Sequence, residues 1–135
     1  MANALYGKGR EAFLAGDIDW INDDIKCVLV DTDTYTVSID VDEFLDDISA
    51  GNRVATSGNF TSLTATLGVA DAANITFSSV TGDVSEALVI YKDSGVEATS
   101  NLLAYIDTAT GLPVTPNGGD ITITWDSGAN KIFKL

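Results

Sequence analysis

Apolar and polar positions along this chain follow a β rhythm over most of its length. Ala87-Leu88-Val89-Ile90-Tyr91 is apolar on both faces of a strand, and Leu102-Leu103-Ala104-Tyr105-Ile106 nearly so. Such runs belong to central strands covered on both sides. Ile121, Ile123 and Trp125 alternate with Thr122, Thr124 and Asp126, which marks a strand with one wet face. From Arg53 onward Thr, Ser and Val dominate, and Gly punctuates at 58, 68, 82, 95, 111, 118, 119 and 128. The pattern predicts strands at Ile25–Asp31, Arg53–Ser57, Leu63–Leu67, Ile75–Val80, Ala87–Lys92, Leu102–Asp107, Asp120–Trp125 and Lys131–Leu135, with Tyr35–Ile39 extended. Spacing of about 8–12 residues between strands is that of a sandwich or barrel. Asn117-Gly118-Gly119 supplies the positive φ of a turn.

The first residues read differently. Asn3 can cap a helix from Ala4 to Ala15, with Gly16 as its stop. Leu5, Gly9 and Phe13 recur every fourth residue, with Tyr6 and Leu14 beside them, so one face is apolar. Gly7 and Gly9 each cost about 1 kcal/mol relative to Ala, so packing must hold the helix, and Gly9 on the packed face implies close approach to a sheet. Val41–Ile48 is expected to form a second, short helix. The fold class is therefore mainly β: a single-domain β-sandwich or barrel-like antiparallel sheet with an N-terminal helix and one short additional helix. Residues 1–135 form one domain, with 1–16 as the N-terminal helix or arm and 25–135 as the β-rich body; nothing in the pattern marks a second boundary.

Charge narrows the partners. Twenty acidic residues against seven basic ones leave −13 in 135 residues. The excess is uneven: residues 1–47 carry −9 and residues 48–135 carry −4. Such a surface repels phosphates, so direct binding of nucleic acid is not expected. No stretch reaches the roughly 18 apolar residues of a membrane span, and the start lacks the basic and apolar regions of a secretory signal. Synthesis in a cytoplasm, with no membrane partner, is the expectation. Cys27, inside Ile25-Lys26-Cys27-Val28-Leu29-Val30, has no second cysteine to pair with and reads as a small buried hydrophobe.

Catalytic signals are weak. The chain has no His, which removes the usual general base, and no nucleophile elbow or phosphate-binding glycine loop is present. Three acidic clusters could bind Ca²⁺: Asp17/Asp19/Asp23/Asp24, Asp31/Asp33 and Asp40/Asp42/Glu43/Asp46/Asp47. None matches an EF-hand loop; Asp31-Thr32-Asp33-Thr34-Tyr35 lacks the third ligand and the central Gly. The reading is no enzyme, no cofactor and no metal, the clusters being a solvated face. Tyr91 and Tyr105 lie in the most apolar strands and read as core. Trp20, in a polar loop after the helix, is the best candidate for an exposed anchor.

Met1–Trp20 (MANALYGKGREAFLAGDIDW), Glu86–Gly95 (EALVIYKDSG) and Leu102–Leu135, above all TGLPVTPNGGDITITWDSGANKIFKL, resemble a family of small proteins of tailed bacteriophages. The resemblance spans nearly the whole chain. It implies a virion or virion-assembly protein and brings no catalytic residues with it. Acidity disfavours the genome side of the shell. The expected function is thus a non-enzymatic virion structural protein, a capsid decoration or cement protein on the outer head surface. A neck or tail component is the alternative within that class. A carbohydrate- or receptor-binding β-domain using Trp20, Trp125 and the acidic loops is the alternative outside it. The expected partners are the major capsid protein or other virion proteins, with the chain a homo-oligomer or bound to a lattice. Leu5, Tyr6, Arg10, Phe13 and Trp20 are the candidate interface, although Leu5 and Phe13 could equally pack the helix onto its own sheet.

Overall fold

A computed structural model describes residues 3–135, so the first two positions of the expected 1–16 arm lie outside the described residues. The chain is mainly β. Its centre is a five-stranded antiparallel sheet built from β1 (Ala4–Leu5), β2 (Ile25–Val30), β3 (Arg53–Thr56), β6 (Ala87–Lys92) and β7 (Leu102–Ile106), in the order β1-β7-β6-β2-β3. Two antiparallel ribbons complete it, β4 (Val69–Ala70) with β9 (Phe133–Lys134), and β5 (Ile75–Phe77) with β8 (Ile121–Ile123). The ends of the central sheet do not pair with each other, so the arrangement is sandwich-like and the barrel alternative is not what forms.

β6 and β2 occupy the middle because their side chains are apolar in both directions. Ile25, Cys27, Leu29, Leu88 and Ile90 point to one face, and Val28, Val30, Ala87, Val89 and Tyr91 to the other; all ten are buried. The first face is covered by the helix, by Trp20, Phe60 and Val80, and by the inward sides of the two ribbons. The second is closed by Tyr6 and by Tyr35, Leu45 and Ile48 from the β2–β3 connection. Cys27 is fully buried as expected, and burial drives its thiol well above the ordinary range.

The helix α1 spans Gly7–Ala15, three residues later than the periodicity suggests. Asn3 is not its cap. The Asn3 side chain instead takes the Asp107 and Thr108 N–H groups, both at 2.9 Å, and donates to the Thr108 carbonyl. That clamp ties the first residues to the end of β7 and draws Ala4 and Leu5 into the sheet. The stop is as read: Gly16 sits at φ +79°, its N–H reaches Phe13 O, and Asp17 N–H reaches Ala12 O at 2.9 Å. These two bonds form a Schellman closure, which a left-handed glycine permits. Gly9 lies where α1 crosses β7; a Cβ there would stand 2.5 Å from the Leu102 carbonyl oxygen.

Two further expectations are corrected. Val41–Ile48 forms only a 3-10 turn at Leu45–Asp47. Its backbone is used elsewhere, since Leu45 N–H bonds Ser100 O and Leu102 N–H bonds Glu43 O. Asp42 and Asp47 also turn their carboxylates onto local N–H groups of Ser38, Glu43 and Phe44, the competition that keeps Asp out of helices. Leu63–Leu67 is not a strand beyond a single Thr64–Asp71 bridge, and Thr66–Gly68 is a 3-10 turn. Tyr35–Ile39 joins no ladder, although Tyr35 is buried.

Candidate interaction surface

The five residues singled out at the start of the chain separate into three kinds. Tyr6 and Trp20 are core. Tyr6 is fully buried, its hydroxyl 3.0 Å from that of Tyr35, which donates to Asp42 at 2.8 Å. Burial pushes both phenols far above the ordinary tyrosine value, and for Tyr35 the neighbouring Tyr6 adds to it. Trp20 is 6% exposed, which overturns its reading as an exposed anchor. Its polar neighbours in sequence face water while the indole turns inward. There it meets Phe60 and Phe133 edge-on at 6.0 and 5.2 Å and donates to Thr64 O at 3.0 Å. Trp125 also spends its indole N–H internally, on Ala73 O at 3.1 Å, with its ring 5.5 Å from Phe60.

Leu5 and Phe13 are half-buried against the first core face, so the packing alternative holds for part of each. Phe13 meets Phe133 of β9 at 6.0 Å. Arg10 is exposed and faces Asp40 at a long 3.9 Å. Leu5 and Arg10 do meet at one place: a groove of about 340 Å³ between the β1–β7 end of the sheet and β9, whose walls also include Ile132, Phe133 and Lys134.

Among the described residues two leucines are the most exposed large apolar side chains. Leu14 of α1 is 90% exposed and Leu67 is 91% exposed. Leu67 stands at φ +55° in the Thr66–Gly68 turn, a conformation L side chains seldom hold. The turn is pinned to the end of β9, with Leu135 N–H bonding Gly68 O at 3.0 Å, and Leu135 is 57% exposed. Phe133 of the same strand links to Phe13, the neighbour of Leu14. Leu67 and Leu135 are thus exposed on hydrogen-bonded neighbouring backbone, and Leu14 is exposed on α1. Periodicity could not find Leu67, because a lone apolar residue in a Thr/Gly-rich turn belongs to no repeating pattern.

The acidic clusters act largely as local scaffolding. Asp19 is fully exposed, and its carboxyl is held below the usual range by the Asn22 side chain and by the Asn22 and Ile21 N–H groups. Asp93 is lowered by Lys26 at 2.8 Å and by Gly95 N–H. The third ligand that Asp31 and Asp33 lack in sequence is supplied from β6 side: Asp31, Asp33 and Glu86 can each bring a carboxylate oxygen within 4.8 Å of the others. Those groups are already engaged, Glu86 by Thr32 N–H and hydroxyl at 2.8 and 3.1 Å, and Asp31 by Asp33 N–H at 2.9 Å. Among the described residues no helix is long and apolar enough to cross a membrane.

No protein-family model matches the chain, and no curated protein matches it significantly.

Proposed function

We propose that the chain is a non-enzymatic structural protein of a tailed-bacteriophage virion, a decoration or cement protein bound to the outer surface of the head. The observation that carries this reading is the exposure of Leu67 and Leu135 on paired backbone, with a further exposed leucine, Leu14, on α1. Among the described residues of a chain of net charge −13, Leu14 and Leu67 are the most exposed large apolar side chains, with Val41, Val96 and Leu135 next. Covering a fully exposed leucine is worth about 1.5–3 kcal/mol, and apolar side chains held out on fixed backbone are what protein docking uses. The resemblance to small phage proteins supplies the setting, and the acidity supports a face turned away from packaged DNA. The partner is the major capsid protein. Contacts repeated over a lattice, or over an oligomer of this chain, let individually weak contacts hold through avidity.

Reconstitution tests the reading. Heads assembled without the chain are mixed with purified protein and pelleted. The wild type should co-sediment in amounts that saturate, and a Leu14→Ser/Leu67→Gly variant should lose most of that binding while remaining folded. Heads that take up no protein, or take up the variant equally well, would show that these leucines do not dock the chain on the head.

A further inference from the structure

An asparagine followed by glycine loses its side-chain amide most readily, because glycine has no side chain to shield the main-chain nitrogen that attacks. The chain has one such pair, Asn117-Gly118. Residues 117–120 are all exposed, so water reaches the turn they form. The turn nevertheless holds the attacking nitrogen. Gly118 N–H donates to Val80 O at 2.7 Å, and Val80 N–H donates to Gly119 O at 3.0 Å. These two bonds carry the β5–β8 ribbon past its Phe77–Ile121 pair and clamp the turn across it. Gly119 N–H donates to Asn117 Oδ1 at 2.9 Å, which fixes the carboxamide, and Ser79 N–H donates to Asp120 Oδ1 at 2.9 Å beside it.

We propose that Asn117 is a self-modification site, a deamidation site gated by the Val80 clamp. In the reaction Gly118 N gives up its proton and attacks Asn117 Cγ. The new C–N bond closes a succinimide, and the Cγ–Nδ2 bond breaks to release ammonia, which takes the proton with it. Water then adds to either ring carbonyl and opens the ring. The product is aspartate, or isoaspartate where the main chain now runs through the side-chain carbon. In the folded chain a deprotonated Gly118 nitrogen would face the Val80 carbonyl oxygen, lone pair against lone pair, so attack waits until the clamp opens. The product puts a new carboxylate near Asp120 in a chain of net charge −13. Isoaspartate also lengthens the main chain by a methylene, so the Gly118 and Gly119 groups no longer meet Val80 in register. Modification is therefore one-way and leaves the ribbon end open. This inference stands apart from the virion reading, because it concerns the isolated protein and requires no particle.

The test follows amide loss at Asn117 by peptide mapping and mass spectrometry in mildly alkaline buffer. It compares the folded full chain, the same chain unfolded in urea, and a synthetic peptide of residues 115–121. The peptide and the unfolded chain should react at matching rates, and the folded chain at least about tenfold more slowly. Hydrogen exchange gives the second readout: protection of the Gly118 amide should equal that slowing to within about threefold, since both reactions need the same opening. Asp120→Ala, at an exposed position, removes the Ser79 N–H bond and should raise deamidation and Gly118 exchange together while the circular-dichroism spectrum is kept. A folded chain that reacts as fast as the peptide, or slow reaction with an unprotected Gly118 amide, would overturn the proposal. So would an Asp120→Ala variant that fails to raise both rates, or loss at Asn117 no faster than at the other asparagines of the unfolded chain.

Discussion

Gly9 offers the sharpest test of how the helix is held. In an exposed helix interior, replacing Gly by Ala stabilises by about 1 kcal/mol. Here the added methyl would lie 2.5 Å from Leu102 O and 3.2 Å from Leu103 Cα, both main-chain atoms of a central-sheet strand. Neither can swing aside as a side chain would, so α1 must retreat by about 1 Å to restore contact distance. Overpacking of a tight interface costs about 1–3 kcal/mol, and a backbone neighbour places Gly9→Ala at the upper end. After the helix-propensity gain, the net loss should be about 2 kcal/mol. For a chain of this length that lowers the thermal midpoint by roughly 6–10 °C. Gly7→Ala is the control. Its methyl would first meet the Asp40 carboxylate, the movable end of an exposed side chain, and then Asp40 Cα at 3.2 Å, so it should cost less than Gly9→Ala. Circular-dichroism melts and urea titrations of both variants give the comparison. A Gly9→Ala protein as stable as the wild type, or more so, would refute the close packing of α1 on β7.

Other outcomes follow from the same geometry. All four tyrosines have raised values, each first through burial: Tyr91 is pushed up to about 12, Tyr105 is raised, and Tyr6 and Tyr35 go higher still. Each folded-state value lies above the unfolded one near 10, so this stabilisation is complete below about pH 10 and is lost as the pH climbs beyond it. Phenolate absorbance should therefore lag the titration of free tyrosine around pH 10 and rise most steeply with alkaline unfolding; a folded protein whose tyrosines titrate together like free tyrosine would contradict the burial. Trp20→Ala should cost about 3–5 kcal/mol, where an exposed anchor would cost almost nothing, and urea unfolding decides between them. Leu67→Gly should raise stability by about 1 kcal/mol by relieving the left-handed backbone, while weakening attachment to heads; a destabilised variant would mean that Leu67 packs at home.

The sheet was largely legible because its signal is strong and local. Ala87–Lys92 carries apolar residues on both faces and is a middle strand, bounded as its pattern indicates. The glycine at 9 announced a close approach before any coordinates, and the Gly16 stop needed only its conformational freedom. What failed depended on partners far along the chain. Asn3 looked like a cap because its clamp on Asp107 and Thr108 lies more than a hundred residues away. The segment 41–48 looked helical because its bonds to the start of β7 leave no local trace. Trp20 looked exposed because its neighbours are polar, whereas its own environment is set by Phe60 and Phe133. The candidate surface suffered most. Arg10 and Leu5, read from the sequence as interface candidates, line a groove, and Phe133 and Lys134 join them there through the β4–β9 pairing, which no local pattern shows.

The proposed decoration role makes this chain a stoichiometric part of a particle's outer shell. Quantitative mass spectrometry of purified virions, freed of unbound protein, measures it most directly as the ratio of this chain to the major capsid protein. Decoration of the head gives a fixed ratio of one chain per capsid subunit, or one trimer per local three-fold. A handful of copies per particle would contradict the decoration role and place the chain in a neck or tail, and none at all would contradict a virion role altogether.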